Sequence, residues 1–570
     1  MSTSLLTFKF IHPIIILLLL FFPFTLLKSI SDNEKIMNCY FSKTTGKFSV
    51  LESSSLDYNA VASGTFIENE AESGWNFLTI AAYEKDDGRY EDEIKAYAMG
   101  YLEGVLTKDK IWDFYPNLLH SSLWDYNYTL PENYIGFLQE NLKYMKEKAF
   151  NNRHNSTYWY HVHLIYKQMI GLFEGYNDNM PQEKRISLLN FQLFFSLADI
   201  EDLVNYKKGK IKITDFSQMS DIEFLDYVHL KTHCSALIKV KDDLSDIFFG
   251  HNTWTNYAQM MRIFKEYRFT TKNHSEKSSV VAFPSYPGVL DSNDDFYYMD
   301  SKLYVMETTI SIYNESIYEN MTPYGLMCWV RTILANRLAG NAKEWTEIFG
   351  DENTGTYNNQ FMVLDLNKVN LDKKIIGDEA FYIIEQIPGY MESRDVTDYL
   401  KKGYWPSYNE AFLPKIRELI GAEDILKERP YLFNGTNGYS GCSRAKIFRR
   451  DQHNVTDLEG FKHILRYNDY LNDEFSEGRA DWQLAARYDL NSGKRQYCYG
   501  AIDAKVGSAK ELLSGENILH LIAGPTNDQQ ATFDWGTSDC VKTNPKRWYQ
   551  GKVIGKWEFG WVDYNLKLFG

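Results

Sequence analysis

Apolar residues in the first part of the chain recur at helical spacing. Ile94, Ala96, Met99, Leu102 and Val105 mark one face of a helix that follows a short strand beginning at Trp75. Further amphipathic helices are predicted from Glu132 to Phe150 and from Trp159 to Phe173, so this part reads as mainly helical. The pattern changes near Val228. Ser235-Ala236-Leu237-Ile238-Lys239-Val240 is a short apolar run, Lys241 to Asp246 is polar, and Ile247-Phe248-Phe249-Gly250-His251 is a second run. Two runs flanking a polar turn predict a β-hairpin. Strands are expected at Ser279 to Phe283, Phe296 to Tyr298, Leu303 to Met306 and Phe361 to Leu364, with helices around Val330 to Leu338 and Trp345 to Phe349. No repeat, low-complexity tract or Pro- or Ser-rich linker interrupts them. The mixture predicts an α+β unit in which helices cover sheets.

The N-terminus departs from that pattern. Lys9 precedes the run Ile14 to Phe22, which reads as the positive and apolar regions of a signal peptide over residues 1–30. No later run supplies the ~20 apolar residues of a membrane span. Seven N-x-S/T sequons, at Asn127, Asn155, Asn273, Asn314, Asn320, Asn434 and Asn454, agree with passage through the secretory pathway. A chain of 570 residues with 44% hydrophobic content can bury the core of a large enzyme. Its net charge of −15 and absence of a basic patch exclude a nucleic-acid partner. Six cysteines, Cys39, Cys234, Cys328, Cys442, Cys498 and Cys540, are too few for a disulfide-built scaffold. Withholding Cys234 for chemistry leaves an odd number, and the sequence does not assign the bridges.

Standard catalytic motifs are missing. No G-x-S-x-G elbow is present; Gly438-Tyr439-Ser440-Gly441-Cys442 has its second glycine one place early and reads as a loop. There is no H-E-x-x-H, and His161 and His163 alternate on a predicted helix, where such residues point apart. No dinucleotide fingerprint or P-loop provides for a cofactor, so none is expected, and no metal.

The remaining candidate is Thr232-His233-Cys234-Ser235-Ala236, which starts the predicted hairpin with a cysteine; the second strand ends Gly250-His251-Asn252-Thr253-Trp254. An isolated buried cysteine is ordinarily structural. Here, however, the chain resembles the phospholipase B-like (lamina ancestor) family of N-terminal nucleophile hydrolases. The resemblance runs through Tyr97 to Gly104, the Cys234 to Trp254 hairpin, Met306-Glu307-Thr308-Thr309-Ile310, Gly355 to Gln360, Glu385 to Gly389, Tyr404 to Asn409, Arg444 to Arg450, Tyr467 to Tyr470, Ile502 to Val506 and Gly524-Pro525-Thr526.

The resemblance implies a four-layer αββα sandwich whose nucleophile begins an inner strand. It implies self-cleavage before Cys234, giving a light chain from residues 31–233 and a chain of residues 234–570 that fold as one unit. Cys234 would then supply a thiol nucleophile and, through its new α-amine with a pKa of ~7.7–8.0, the base. His251 and Trp254 would flank the thiol. One of Thr308 and Thr309 would face the site, because strand side chains alternate. Asn409 would donate to the oxyanion, and Arg444 would fix the geometry or pair with a carboxylate. Asn358-Asn359 is a recognisable part of the resemblance but reads as a structural turn. The implied substrate is a phospholipid acyl ester met at a membrane surface, in a secreted or lysosomal setting. An amidase acting on N-acyl lipids or peptides is the rival enzyme, and a non-catalytic lipid-binding glycoprotein is the rival from another class. Oligomeric state is not encoded in any pattern found.

Overall fold

The computed structural model describes residues 33–83, 88–123, 129–205, 214–229, 233–430, 438–543 and 553–569. The leader and the sequons at Asn127 and Asn434 therefore lie outside the described residues. Asn155, Asn273, Asn314, Asn320 and Asn454 are all exposed, as a glycan requires.

Two sheets face each other. The larger has eleven strands, in the order Tyr390–Asp395, Phe381–Ile387, Asn359–Asp365, Leu303–Thr309, Phe296–Met299, Val280–Ser285, Arg262–Phe269, Trp75–Ala82, Ala62–Ile67, Glu34–Ser42 and Lys47–Ser53. Its neighbours are antiparallel except Trp75–Ala82 and Arg262–Phe269, which run parallel. The smaller runs Tyr404–Ser407, Cys234–Val240, Ile247–Asn256, Asp503–Ser508, Ile518–Ala523 and Val562–Asn565, and Tyr499–Ala501 pairs with the end of the third of these. The expected hairpin is therefore present, with Cys234 as the first residue of its first strand.

Phe249 packs against Tyr304 across the sheet interface, the rings tilted by 44° with centroids 3.8 Å apart. On the far side of the large sheet, helix Asp92–Ser122 packs on strands Glu34–Ser42, Ala62–Ile67 and Trp75–Ala82. On the far side of the small sheet, helix Leu458–Leu465 packs on the strands beginning at Cys234, Ile247 and Asp503. Helix, sheet, sheet, helix is the αββα order that the family resemblance implies, in an α+β chain.

The outer helices meet closely because their contact is made by glycine. Gly100 and Gly104 of Asp92–Ser122 lie against Gly171 and Gly175 of Thr157–Asp178, and a Cβ on any of them would collide with the other helix's backbone. The expected helix from Glu132 spans Glu132–Asn152. The mainly helical reading of the early chain missed three strands, Glu34–Ser42, Lys47–Ser53 and Ala62–Ile67, which close one edge of the large sheet. Cys498 and Cys540 form a disulfide, whereas Cys39, Cys234, Cys328 and Cys442 are thiols.

Candidate active site

Cys234 sits at the wall of a cavity of about 360 Å³, together with His233, Thr253, Thr309, Tyr357 and Tyr499. The strand register explains why these groups meet. Cys234 pairs with Thr253 and Ala236 with His251 on one side, and Lys505 pairs with His251 on the other. Directly opposed residues share a face of the sheet, so Cys234, Thr253, His251 and Lys505 all point toward the large sheet. Their alternates Ser235, Asn252 and Trp254 point to the other side, where Gly250 makes room for Phe461 and Leu465.

This outer face is a hydrogen-bonded frame. Arg444 Nη1 donates to the Cys234 carbonyl at 2.6 Å and to Ser235 Oγ at 3.1 Å, while Nη2 donates to the Tyr408 carbonyl at 2.8 Å and Asn409 Oδ1 at 2.7 Å. Its guanidinium lies 4.4 Å from the centre of the Trp254 ring. Trp254 Nε1 donates to Asn252 Oδ1 at 2.9 Å, and the same oxygen accepts from the Ser235 main chain at 3.2 Å. Arg444 thus grips carbonyls and an amide rather than a carboxylate. Asn409, held at a φ of 70°, donates one Nδ2 hydrogen to the Thr309 carbonyl at 2.7 Å and keeps a second for another acceptor.

The predicted partners of the thiol are divided. His251 is on the thiol's face; its Nε2 donates to the Glu307 carbonyl at 2.9 Å, and burial, followed by the charge of Lys505, holds it well below the usual histidine range. It is a neutral imidazole. Trp254 belongs to the other face, but its main-chain N–H donates to the carbonyl of His233. Thr309 borders the cavity with Cys234, whereas Thr308 turns toward the facing sheet, where its hydroxyl meets Ser407 Oγ at 2.6 Å. Asn358 ties its loop to Asp202 at 3.0 Å, and Asn359 opens a strand. His161 and His163 go to separate partners, Ser275 and Glu93. Among the described residues no cluster of three or more His, Cys, Asp or Glu could hold a metal ion.

Other groups at the site were not recognised from sequence. Asp503 and Lys505 alternate in a buried strand: Lys505 Nζ lies 2.8 Å from Asp503 Oδ1 and 2.6 Å from Thr253 Oγ1, and Arg262 Nη1 lies 2.7 Å from Asp503 Oδ2. Burial lowers Lys505 to about 8, against the pull of Asp503. Burial opposes ionisation of Asp503, but Lys505 and Arg262 outweigh it and hold the carboxyl below its usual value. Tyr357 Oη reaches Asp295 Oδ2 at 2.5 Å and Glu307 Oε2 at 2.9 Å. One phenol hydrogen cannot serve two carboxylates, so the pair is best satisfied holding a proton of its own. Burial raises both acids, Asp295 to about 6 and Glu307 well above its usual value, the latter also through Asp295. Asp295 and Tyr357 adopt positive φ angles of 49° and 57°, backbone strain concentrated at the cavity. Burial and then Glu307 push the Cys234 thiol well up, while the Trp254 N–H and Lys505 pull it down. The available signal was a charge inside an otherwise apolar strand, at Glu307, Asp503 and Lys505.

Sequence comparison places this geometry among relatives. The family model described as phospholipase B matches residues 62–564. The chain belongs to the phospholipase B family. A phospholipase B-like protein B of Dictyostelium discoideum is 36% identical over 540 residues, covering 93% of this chain and 89% of that protein. A Bos taurus phospholipase B-like 1 is 36% identical over 478 residues, 83% of each chain. A phospholipase B of Crotalus adamanteus is 33% identical over 483 residues, covering 84% of this chain and 85% of the relative. The family match covers both sheets apart from the edge strands Glu34–Ser42 and Lys47–Ser53, so the strand that begins at Cys234 and the two that carry Glu307 and Lys505 all lie within it.

Proposed function

We propose that this phospholipase B family member is an acyl hydrolase that works through a Cys234 thioester and is activated by cutting its own chain before that residue. The supporting observation is the junction itself: a thiol on a cavity wall directly follows a carbonyl, that of His233, already engaged by the Trp254 N–H. Attack of the sulfur on that carbonyl forms a thioester as the C–N bond breaks, and the departing nitrogen takes up a proton to replace the one lost by the thiol. Water then cleaves the thioester, releases the 31–233 segment with a new carboxyl end and restores the thiol. The freed α-amine takes the thiol proton in each later turnover and returns it to the leaving group. Asn409 donates its remaining Nδ2 hydrogen to the oxyanion, and Arg444 fixes the strand that presents the sulfur.

The substrate is an ester-linked fatty acyl group of a phospholipid, in line with the relatives' name of phospholipase B, and such a lipid is reached by transient contact with a membrane surface. The leader, the exposed sequons and the Cys498–Cys540 bridge support a secreted or lysosomal site of action. A second reading, hydrolysis of an N-acyl amide, is favoured by the polar character of the cavity wall, where Ser121, Ser122, Thr255 and Gln259 are hydrogen-bonded to one another and Asn256 and Asn293 stand beside them. Purified protein should release fatty acid from diacyl phosphatidylcholine faster than from an N-acyl amide; the reverse order selects the amidase. Turnover that survives Cys234→Ala contradicts the nucleophile in either case.

A further inference from the structure

We propose that Lys505 is a positioning residue for the nucleophile, directing its positive charge through the Thr253 hydroxyl onto the Cys234 sulfur and holding the thiolate. The inference rests on the reading of Cys234 as nucleophile.

A buried lysine calls for an explanation, because taking an ammonium out of water is costly unless the charge is used or paired. Lys505 is fully buried in a strand whose neighbours Ala504 and Val506 are apolar. Asp503 balances its charge, at 2.8 and 3.1 Å from the two carboxylate oxygens, and Asp294 balances Arg262 in the same cluster, so the pairing keeps the ammonium ionised without showing what that charge serves. The remaining bond is the informative one. Lys505 Nζ donates to Thr253 Oγ1 at 2.6 Å, which uses the hydroxyl as an acceptor and leaves its own hydrogen to be donated. Thr253 is the residue directly opposite Cys234, and both side chains line the cavity. The hydroxyl therefore lies between the cation and the sulfur's side of the sheet.

The surrounding charges make this link necessary. From its own strand and the neighbouring ones, Lys505 is faced by Asp503, Arg262 and neutral His251, and Asp295 acts on it from the large sheet, while Glu307 acts on the thiol. Arg262 is engaged by Asp294 as well as Asp503, so its charge is consumed locally. Burial and Glu307 both oppose ionisation of the thiol. Lys505 is the cation on the thiol's face that opposes them, and at about 8 it stays charged through acidic and neutral pH. When the thiol gives its proton to the α-amine, the Thr253 O–H donates to the thiolate, and Lys505 polarises that donor.

The test follows Cys234 alkylation by iodoacetamide against pH in the cleaved protein, read at the Cys234 peptide by mass spectrometry. Lys505→Met and Thr253→Val should each raise the alkylation midpoint by about one unit or more and lower the rate at pH 7 about tenfold for each unit. Thr253→Ser should return the midpoint to that of the parent protein. Lys505→Met leaves buried Asp503 with less compensation and can fail to fold; Thr253→Val keeps every charge and then decides alone. An unmoved midpoint in folded Thr253→Val overturns the proposal. Because alkylation is read without turnover, this failure is distinct from that of the nucleophile assignment, which would show as activity retained by Cys234→Ala.

Discussion

The two faces of one hairpin do different work. The face toward the large sheet carries Cys234, Thr253 and His251, with Lys505 alongside, and the Asp295–Glu307 pair, joined through Tyr357, acts on the thiol's charge from the large sheet. In the proposed mechanism these groups exchange protons or sit beside groups that do. The opposite face carries Ser235, Asn252 and Trp254 under Arg444, joined by bonds that do not change between acidic and neutral pH. The alternation of a strand therefore separates reactive groups from the frame that aims them, although the residues alternate in sequence. A substitution on one face should alter proton bookkeeping, and one on the other should alter geometry and stability.

The largest effect should come from the inner face. Cys234→Ala is expected to abolish both chain cleavage and acyl release, a loss on the order of 10³-fold or more, with thermal stability retained; Cys234→Ser should keep slow partial cleavage. Gel mobility and fatty-acid release measure the two. Next is the frame. Arg444→Met leaves the Cys234 and Tyr408 carbonyls and Asn409 Oδ1 without their donor, and should lower unfolding free energy by about 3 kcal/mol. Urea unfolding at pH 4 and pH 5.5, where burial keeps the neighbouring Glu410 protonated with its pKa raised to about 7, should show that loss to be independent of pH, which is what distinguishes the outer face.

The acid pair should give a smaller effect of a different kind. Asp295 is raised from 3.8 to about 6 in the folded chain, so between those values the folded state binds more protons than the unfolded one. Stability from this group is thus present at low pH and declines as pH rises from about 4 through about 6, by on the order of 3 kcal/mol. Asp295→Asn should flatten that slope in urea titrations between pH 4 and 7. Activity itself should rise with pH across this window as the α-amine loses its proton, and Asp295→Asn should steepen that rise by removing a negative charge that opposes the thiolate. The smallest effect is expected for Trp254→Phe. It removes the Nε1 bond to Asn252 but keeps the main-chain N–H on the His233 carbonyl, so cleavage should persist while stability drops by about 1 kcal/mol.

Much of the frame was legible in the sequence because it is local. The hairpin announces itself through two apolar runs around a polar turn, and Leu303 to Met306 and Phe361 to Leu364 through similar runs. The missed edge strands Glu34–Ser42 and Lys47–Ser53 are largely half-buried or exposed, so no apolar run marks them. The inner face was harder for another reason. Its members come from residues as far apart as Thr253 and Lys505, or Asp295 and Tyr357, and only sheet pairing and loop closure unite them. Resemblance supplied Cys234, His251, Asn409 and Arg444, whose motifs are contiguous, but not the face each occupies. That depended on register, which also separated Thr308 from Thr309.

The separation of faces matters only if the peptide bond between His233 and Cys234 is broken to give an amine beside the sulfur. Intact-mass analysis with N-terminal sequencing of active protein recovered from the secretory pathway tests this most directly. Two chains are expected, the larger beginning Cys234-Ser235-Ala236-Leu237. Full activity in a single unbroken chain across that junction would contradict it.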